Sequence, residues 1–209
     1  MYVRRSALIL VGVASLVTSC RLFRPVNPNA KSQPAAKTAD QPTQASSSAA
    51  PSKREIGSVN DANIAAMVLA SNNTDISYAR LVPSRGERAD IKEFASRMLS
   101  DHSSVNQLVN DLLKKLDVTP EDNIASLDMR DESANKRDLM RELSGYAFDS
   151  TYIENEVAYH QKFLASIDNV MLPRARNAQL RNLLTSVRPA VAAHLAHAEQ
   201  VRANVLSKK

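Results

Sequence analysis

Tryptophan is missing from the 209 residues, cysteine occurs once and glycine four times. A single cysteine rules out any disulfide within the chain. Scarce glycine and 4% aromatic residues, set against 44% hydrophobic ones, suit helices packed on helices. No Gly-rich phosphate loop, Gly-x-Ser-x-Gly elbow or His-Glu-x-x-His pair occurs, so phosphate-loop, α/β-hydrolase and zincin chemistry have no support and no catalytic residue is assigned. No apolar run reaches the roughly 20 residues of a permanent membrane span.

The excess of positive charge is unevenly placed. Eight of the 27 basic residues but only two of the 22 acidic ones precede Ser58, which leaves 19 against 20, a net of −1, for the remainder. A nucleic-acid face needs basic residues clustered on the folded domain itself, so no nucleic-acid partner is expected.

What is present first is a three-part export signal. Arg4 and Arg5 precede an uncharged run over residues 7–17, then Thr18, Ser19 and Cys20. Leu16-Val17-Thr18-Ser19-Cys20 resembles the bacterial lipobox, whose cysteine thiol takes a diacylglycerol and becomes the mature N-terminus. A lone cysteine in an exported chain fits this reading, and an ordinary signal peptide is the alternative. Each buried methylene of such an anchor contributes about 0.8 kcal/mol. Arg21 stands where many inner-membrane lipoproteins carry Asp, which by that resemblance implies the outer membrane, facing the periplasm. Without the lipid the product is secreted or periplasmic. The expected organisation is therefore a signal peptide over 1–19, a lipidated N-terminus and linker over 20–57, and a folded domain over 58–209.

The linker holds five of the nine prolines (Pro25, Pro28, Pro34, Pro42 and Pro51) among Ser, Ala, Gln and Thr. It offers too little apolar surface to offset ordering entropy, so disorder is expected there.

From Ser58 the apolar spacing turns helical. Segment one, about 58–82, carries Ile64, Val68, Ser71, Asp75, Tyr78 and Val82 on one stripe. Segment two, about 87–116, presents Ile91, Phe94, Met98, His102, Val105 and Val109. A polar connection over 117–135 is expected to hold no more than a short turn near 124–129. The third segment runs from about 136 to 171, disturbed at Gly145, with Tyr152, Glu156, His160, Phe163 and Ile167 inward. Segment four, about 178–206, shows Leu184, Val187, Val191, His194, Ala198 and Val201, with a kink expected at Pro189. Four amphipathic segments without a strand candidate predict an all-α, four-helix up-and-down bundle.

His102, His160 and His194 fall on the inward stripes of three different segments, each near its segment's middle. At about 1.5 Å of rise per residue the three rings should lie at one height. Asp75 sits on the remaining segment, expected roughly one turn away. Three imidazoles and a carboxylate suit one transition-metal ion such as zinc, iron, copper or nickel. Asp101, Glu156 and Tyr152 or Tyr78 are the candidate supporting partners. The same residues could instead form a metal-free buried polar network that fixes helix register. His197 lies off the stripe and receives no role.

Three patterns carry a resemblance: Ile91-Lys-Glu-Phe-Ala-Ser-Arg-Met-Leu-Ser-Asp101-His102; Leu143-Ser-Gly-Tyr-Ala-Phe148-Asp149-Ser-Thr-Tyr152 leading to His160; and Pro189 followed by His194-Leu-Ala-His-Ala. They resemble a bacterial domain-of-unknown-function family of outer-membrane and periplasmic proteins in the ferritin-like superfamily, over residues 60–206. Asp75 stands where that family usually has Glu, which keeps the carboxylate but shortens its reach. The resemblance implies a ferritin-like bundle without ferritin chemistry. Di-iron members carry two Glu-x-x-His motifs, whereas this chain has one near match, Glu156-x-x-x-His160. Two functions remain open: a non-enzymatic envelope module that binds another protein or the cell wall, and a periplasmic metal-binding bundle.

The anchor is directly testable. Cys20→Ser should move the protein from the membrane fraction to the soluble fraction of lysed cells; retention in membranes would show that no lipid at Cys20 holds it.

Overall fold

The computed structural model describes residues 58–207, so the expected export signal, Cys20 and the expected linker lie outside it. The described residues are helical and contain no strand. Five long helices make up the domain: α1 (Asp61–Ala79), α3 (Ala89–Leu116), α4 (Ile124–Arg141), α5 (Gly145–Ser166) and α7 (Ala178–Leu206). A short α2 (Val82–Arg85) links α1 to α3. A π-helical turn (Ile167–Met171) and α6 (Leu172–Arg174) extend α5.

Side-chain pairings set the directions. Asn72 meets Asn106 while Asp75 meets His102, so α1 and α3 are antiparallel. Asp101 with His194 and Phe94 with His197 make α3 and α7 antiparallel. On the other face of α1, Asn123 reaches Met67 and Met129 reaches Ser71, so α4 runs parallel to it.

The helix starts are fixed by short polar side chains. Asn60 Oδ1 accepts from Asn63 N–H at 2.8 Å and Asn63 Oδ1 accepts from Asn60 N–H at 3.1 Å, a reciprocal cap on α1. Asn123 and Ser126 repeat the device on α4. Asn177 caps α7, and the Asp61 carboxylate accepts the N–H groups of Arg176 and Asn177, joining the starts of α1 and α7. The start of α3 is held from a distance: buried Asp149, on α5, accepts Arg88 N–H at 3.0 Å and Glu87 N–H at 3.3 Å. A Cβ at Gly86 would lie 2.9 Å from Asp149 Oδ1, so this approach requires glycine.

Two expectations change. Residues 124–141, expected to be mostly loop, form the 18-residue α4. Its buried side chains are only Ser126, Ser133 and Met140, too thin an apolar edge to stand out in a charged sequence. The cap at Asn123 and packing along α1 stabilise it instead. As a result there are five long helices where four segments are expected, and the third segment divides near Ser144 into the end of α4 and the start of α5. Helix α7 spans the expected 178–206 and continues through Pro189. Past α5, Pro173 has no N–H to offer the carbonyl of Asn169, and Arg174 donates to that oxygen from its side chain at 3.1 Å.

The apolar core falls into two clusters. One gathers Tyr78, Phe94, Met98, Phe148, Tyr152, Ile153 and Ala198; the other gathers Val68, Val109, Phe163, Ile167, Leu184 and Val191. Along each helix the polar residues lie at the changeover: Asp75 between Val68 and Tyr78, His102 between Met98 and Val109, His160 between Val157 and Phe163, His194 between Val191 and Ala198. A buried polar layer therefore divides the core.

Asp149→Ala should lower the unfolding free energy by about 2 kcal/mol, since two N–H groups at a helix start lose their acceptor. Urea melts monitored by circular dichroism measure it; an unchanged midpoint would remove Asp149 from the cap.

Candidate metal centre

The polar layer is fully enclosed. Asp75, Glu156 and His160 have no exposed surface, and His102 and His194 keep 2% and 3%. Each histidine ties off one ring nitrogen. His160 Nδ1 donates to the Glu156 backbone carbonyl at 2.9 Å, an acceptor only, so its Nε2 carries the lone pair of the neutral ring. His102 Nδ1 donates to Asn72 Oδ1 at 2.8 Å. The Asn72 amide in turn donates to Asn106 Oδ1, and Asn106 donates to Asn73 Oδ1. His194 Nε2 donates to Asp101 Oδ2 at 2.9 Å, and the Arg97 guanidinium approaches that same oxygen at 3.4 Å.

The opposite nitrogens, His102 Nε2, His160 Nε2 and His194 Nδ1, have no hydrogen-bond partner. Asp75 Oδ2 lies 3.3 Å from His102 Nε2 and 3.4 Å from His160 Nε2. The ring centroids of the three histidines are 5.3–5.7 Å apart, and one nitrogen from each ring lies within 4.8 Å of the other two. A second set of donors, from Asp75, Glu156 and His160, meets within the same limit. Glu156 Oε2 is 3.5 Å from His160 Nδ1, and neither Glu156 oxygen is hydrogen-bonded.

Burial dominates the titration of these groups. It pushes the Asp75 carboxyl up to about 7, against a lowering contribution from Glu156. Glu156 is raised well above the carboxylate range by burial, then by the charge of Asp75. Burial lowers His160 to about 4, partly offset by its bond to the Glu156 carbonyl. His102 is pushed well below its ordinary value by burial and by the neighbouring histidines. Burial also lowers His194, with the bond to Asp101 working in the opposite direction. All three imidazoles are neutral at pH 7.

Two lone pairs then face one carboxylate oxygen. A proton on Asp75 can serve His102 or His160, but not both. A cation serves both at once. Two ligands on one ion, each bonded at about 2.1 Å, stand about 3.0–3.4 Å apart when adjacent in the coordination sphere. The Asp75–histidine separations already match this spacing.

The structure brings together His102, His160, His194 and Asp75, and places Asp101 on His194 as a supporting partner. Asp75 lies level with the histidines rather than a turn away, because pairing with α3 and α5 sets its height, not the middle of α1. Glu156, expected only in support, has its carboxylate among the donors. Tyr152 is a correction of the opposite kind: its ring stacks on Phe148, 5.8 Å between centroids, and its hydroxyl bonds to none of the cluster. Tyr78 packs edge-on against Tyr159, whose hydroxyl donates to the Ser71 carbonyl and whose ring meets His160. His197 lies against Phe94, outside the cluster. Asn72 is the supporting residue that sequence reading misses. Its signal is its place three residues before Asp75, on the same helix face.

The metal-free protein should reveal the cost of Asp75. A carboxyl raised from 3.8 to about 7 on folding leaves stability intact below pH 4 and loses it as pH rises through 7. Asp75→Asn should therefore gain on the wild type between pH 4 and pH 8, by up to about 4 kcal/mol. Urea melts after chelation at several pH values measure this; a difference flat with pH would refute the titration.

No curated protein and no solved structure matches the chain. Residues 36–201 match the family described as "Domain of unknown function (DUF4142)". That span takes in all five donor residues and covers most of the sequence, and the chain belongs to this family.

Proposed function

We propose that the protein is an exported, lipid-anchored member of the ferritin-like superfamily whose bundle holds one divalent transition-metal ion through His102, His160, His194, Asp75 and Glu156. The observation that carries this reading is the shared Asp75 oxygen, 3.3 and 3.4 Å from two imidazole nitrogens that have no other partner. The outer bonds support it. Metal-ligating histidines give their second nitrogen to a carbonyl or carboxylate, which fixes tautomer and ring orientation, and Glu156 and Asp101 do so here, with the Asn72 amide oxygen serving His102.

Charge supports it as well. Once Asp75 and Glu156 give up their protons to the ion, their two charges would balance a divalent cation among three neutral imidazoles in a site that is almost wholly buried. Nitrogen and carboxylate donors without a thiolate favour zinc or iron over the soft copper(I) ion. The two donor groups share His160, and a single near match to Glu-x-x-His suits one ion rather than the pair of a di-iron oxidase. The anchor rests on the lipobox-like run ending at Cys20. It would keep the metal centre in the envelope, on the periplasmic side of the outer membrane.

The competing reading is an envelope module that binds a protein or the cell wall and whose polar layer only fixes register. Metal analysis separates the two. The full chain, purified without an affinity tag containing histidine, should carry about one zinc or iron per molecule by mass spectrometry. Metal at 100 times its dissociation constant should add about 2.7 kcal/mol to stability, and His160→Ala should abolish that gain. A chain that takes up neither zinc, iron nor copper, and whose melt none of them moves, would leave only the packing module.

A further inference from the structure

Helix α4 leans on α1 through the Asn123–Met67 and Ser71–Met129 contacts. The short connection over 142–144 sends α5 back alongside α4 in the opposite direction. Between α4 and α5 the described residues make one side-chain bond, the exposed Lys162–Glu132 pair at 2.6 Å. The two helices therefore stand apart, and a groove of about 730 Å³ lies between them. That volume falls within the range of ligand sites, roughly 300–1,000 Å³. None of the five metal donors lines it, and the Tyr159 ring stands between it and His160.

Much of the floor is apolar. Tyr78 packs edge-on against Tyr159, and Tyr159 leans on Phe163 with 6.5 Å between ring centroids. Met129 and Val170 extend this surface. On the α5 wall the exposed Ala158 and Ala165 keep the groove open. The Lys162–Glu132 pair bridges the two walls, which restricts the thickness of an occupant. A helix is about 10 Å across with its side chains and would have to break the pair, whereas an alkyl chain passes beneath it.

Charge is sorted along the groove. Lys162 and Glu132 neutralise each other, and Asp128 is engaged. Nearer the 142–144 connection, Lys136 on α4 and Glu154 on α5 also line the groove. Lys136 is half-buried and Glu154 exposed, and neither makes an ion pair or hydrogen bond with a described residue. Towards the other end, beyond Asp128, the lining is uncharged, with Ala125, Ala165, Ser166, Asn169 and Val170. One end thus offers an unpaired charge of each sign, and the other offers none.

We propose that this groove binds a single-chain amphiphile with a zwitterionic head, of the lysophospholipid class. The phosphate of the head meets Lys136, its ammonium meets Glu154, and the tail lies over Tyr159, Phe163 and Met129 towards Val170. Removing the tail from water supplies the affinity, and the paired charges supply the choice of head. A fatty-acid carboxylate would leave Glu154 unpaired beside it, and an alcohol would leave both charges unpaired. The inference stands apart from the metal reading and does not require it.

The test is isothermal titration calorimetry on the full chain with Cys20→Ser, so that no acyl group of its own competes, at ligand concentrations below micelle formation. Myristoyl lysophosphatidylethanolamine should bind one per chain, at least tenfold more tightly than myristate or myristyl alcohol. Glycerophosphoethanolamine, the head without a tail, should give no measurable heat. Lys136→Gln and Glu154→Gln should each erase most of the preference for the lysolipid. Ala158→Phe and Ala165→Phe, at exposed positions, should weaken its binding at least tenfold with the melting temperature unchanged. Should the phenylalanine variants unfold, the two charge variants decide. Absence of lysolipid binding overturns the proposal, as does binding that both folded phenylalanine variants leave unchanged. Equal affinity for all three tailed ligands, or a preference that survives both charge variants, also overturns it and shows an adventitious apolar contact only. Metal content measured on the same sample keeps the two readings separate.

Discussion

Two imidazole lone pairs meeting one carboxylate oxygen is the constraint around which this domain is organised. Asp75, His102 and His160 come from three helices, so their heights and rotations must agree to within an ångström or so for the contact to exist. Such a layer contributes little to stability by itself. Buried polar atoms without partners cost about 1–3 kcal/mol each, and several lie here side by side. The two apolar clusters on either side offset that cost. They also lock the helices in the register that brings the layer together.

The supporting partners complete the arrangement. The Glu156 carbonyl, the Asn72 amide and the Asp101 carboxylate each hold the far nitrogen of one ring. None of the three rings is then free to turn its lone pair away. Rings held in place beforehand would lower the entropy lost on binding the proposed ion, the general advantage of preorganisation. Membership of a family of unknown function supplies no activity, so the functional argument rests on this geometry.

Much of the fold was legible because helical spacing and caps are local signals. The extent of α7 follows from the apolar run from Leu180 to Val205. The common height of the three histidines follows from counting residues along helices of similar length. The α4 helix was not legible, since its apolar edge is thin and its stability comes from lying against α1, a tertiary fact. For the same reason Glu156 read as support rather than as a donor: one turn from His160, either role has the same spacing, and only a rotation of the helix decides. Tyr152 shows the converse, an inward residue whose ring belongs to the apolar cluster. Asn72 was hidden because an asparagine beside an aliphatic stripe looks like surface until its neighbour across the helix is known.

Asp101 differs from the other two supporting groups in where it sits. Asn72 and the Glu156 carbonyl are sealed in the core, whereas Asp101 stands partly in solvent with Arg97 beside it. Two of the three rings are therefore insulated from bulk conditions, and the third is not. Dissolved salt screens exposed charges far more than buried ones, so the electron-donating strength of His194 responds to the medium outside while its companions keep theirs. The domain thus holds an asymmetric triad, with a single adjustable member at the edge nearest the water.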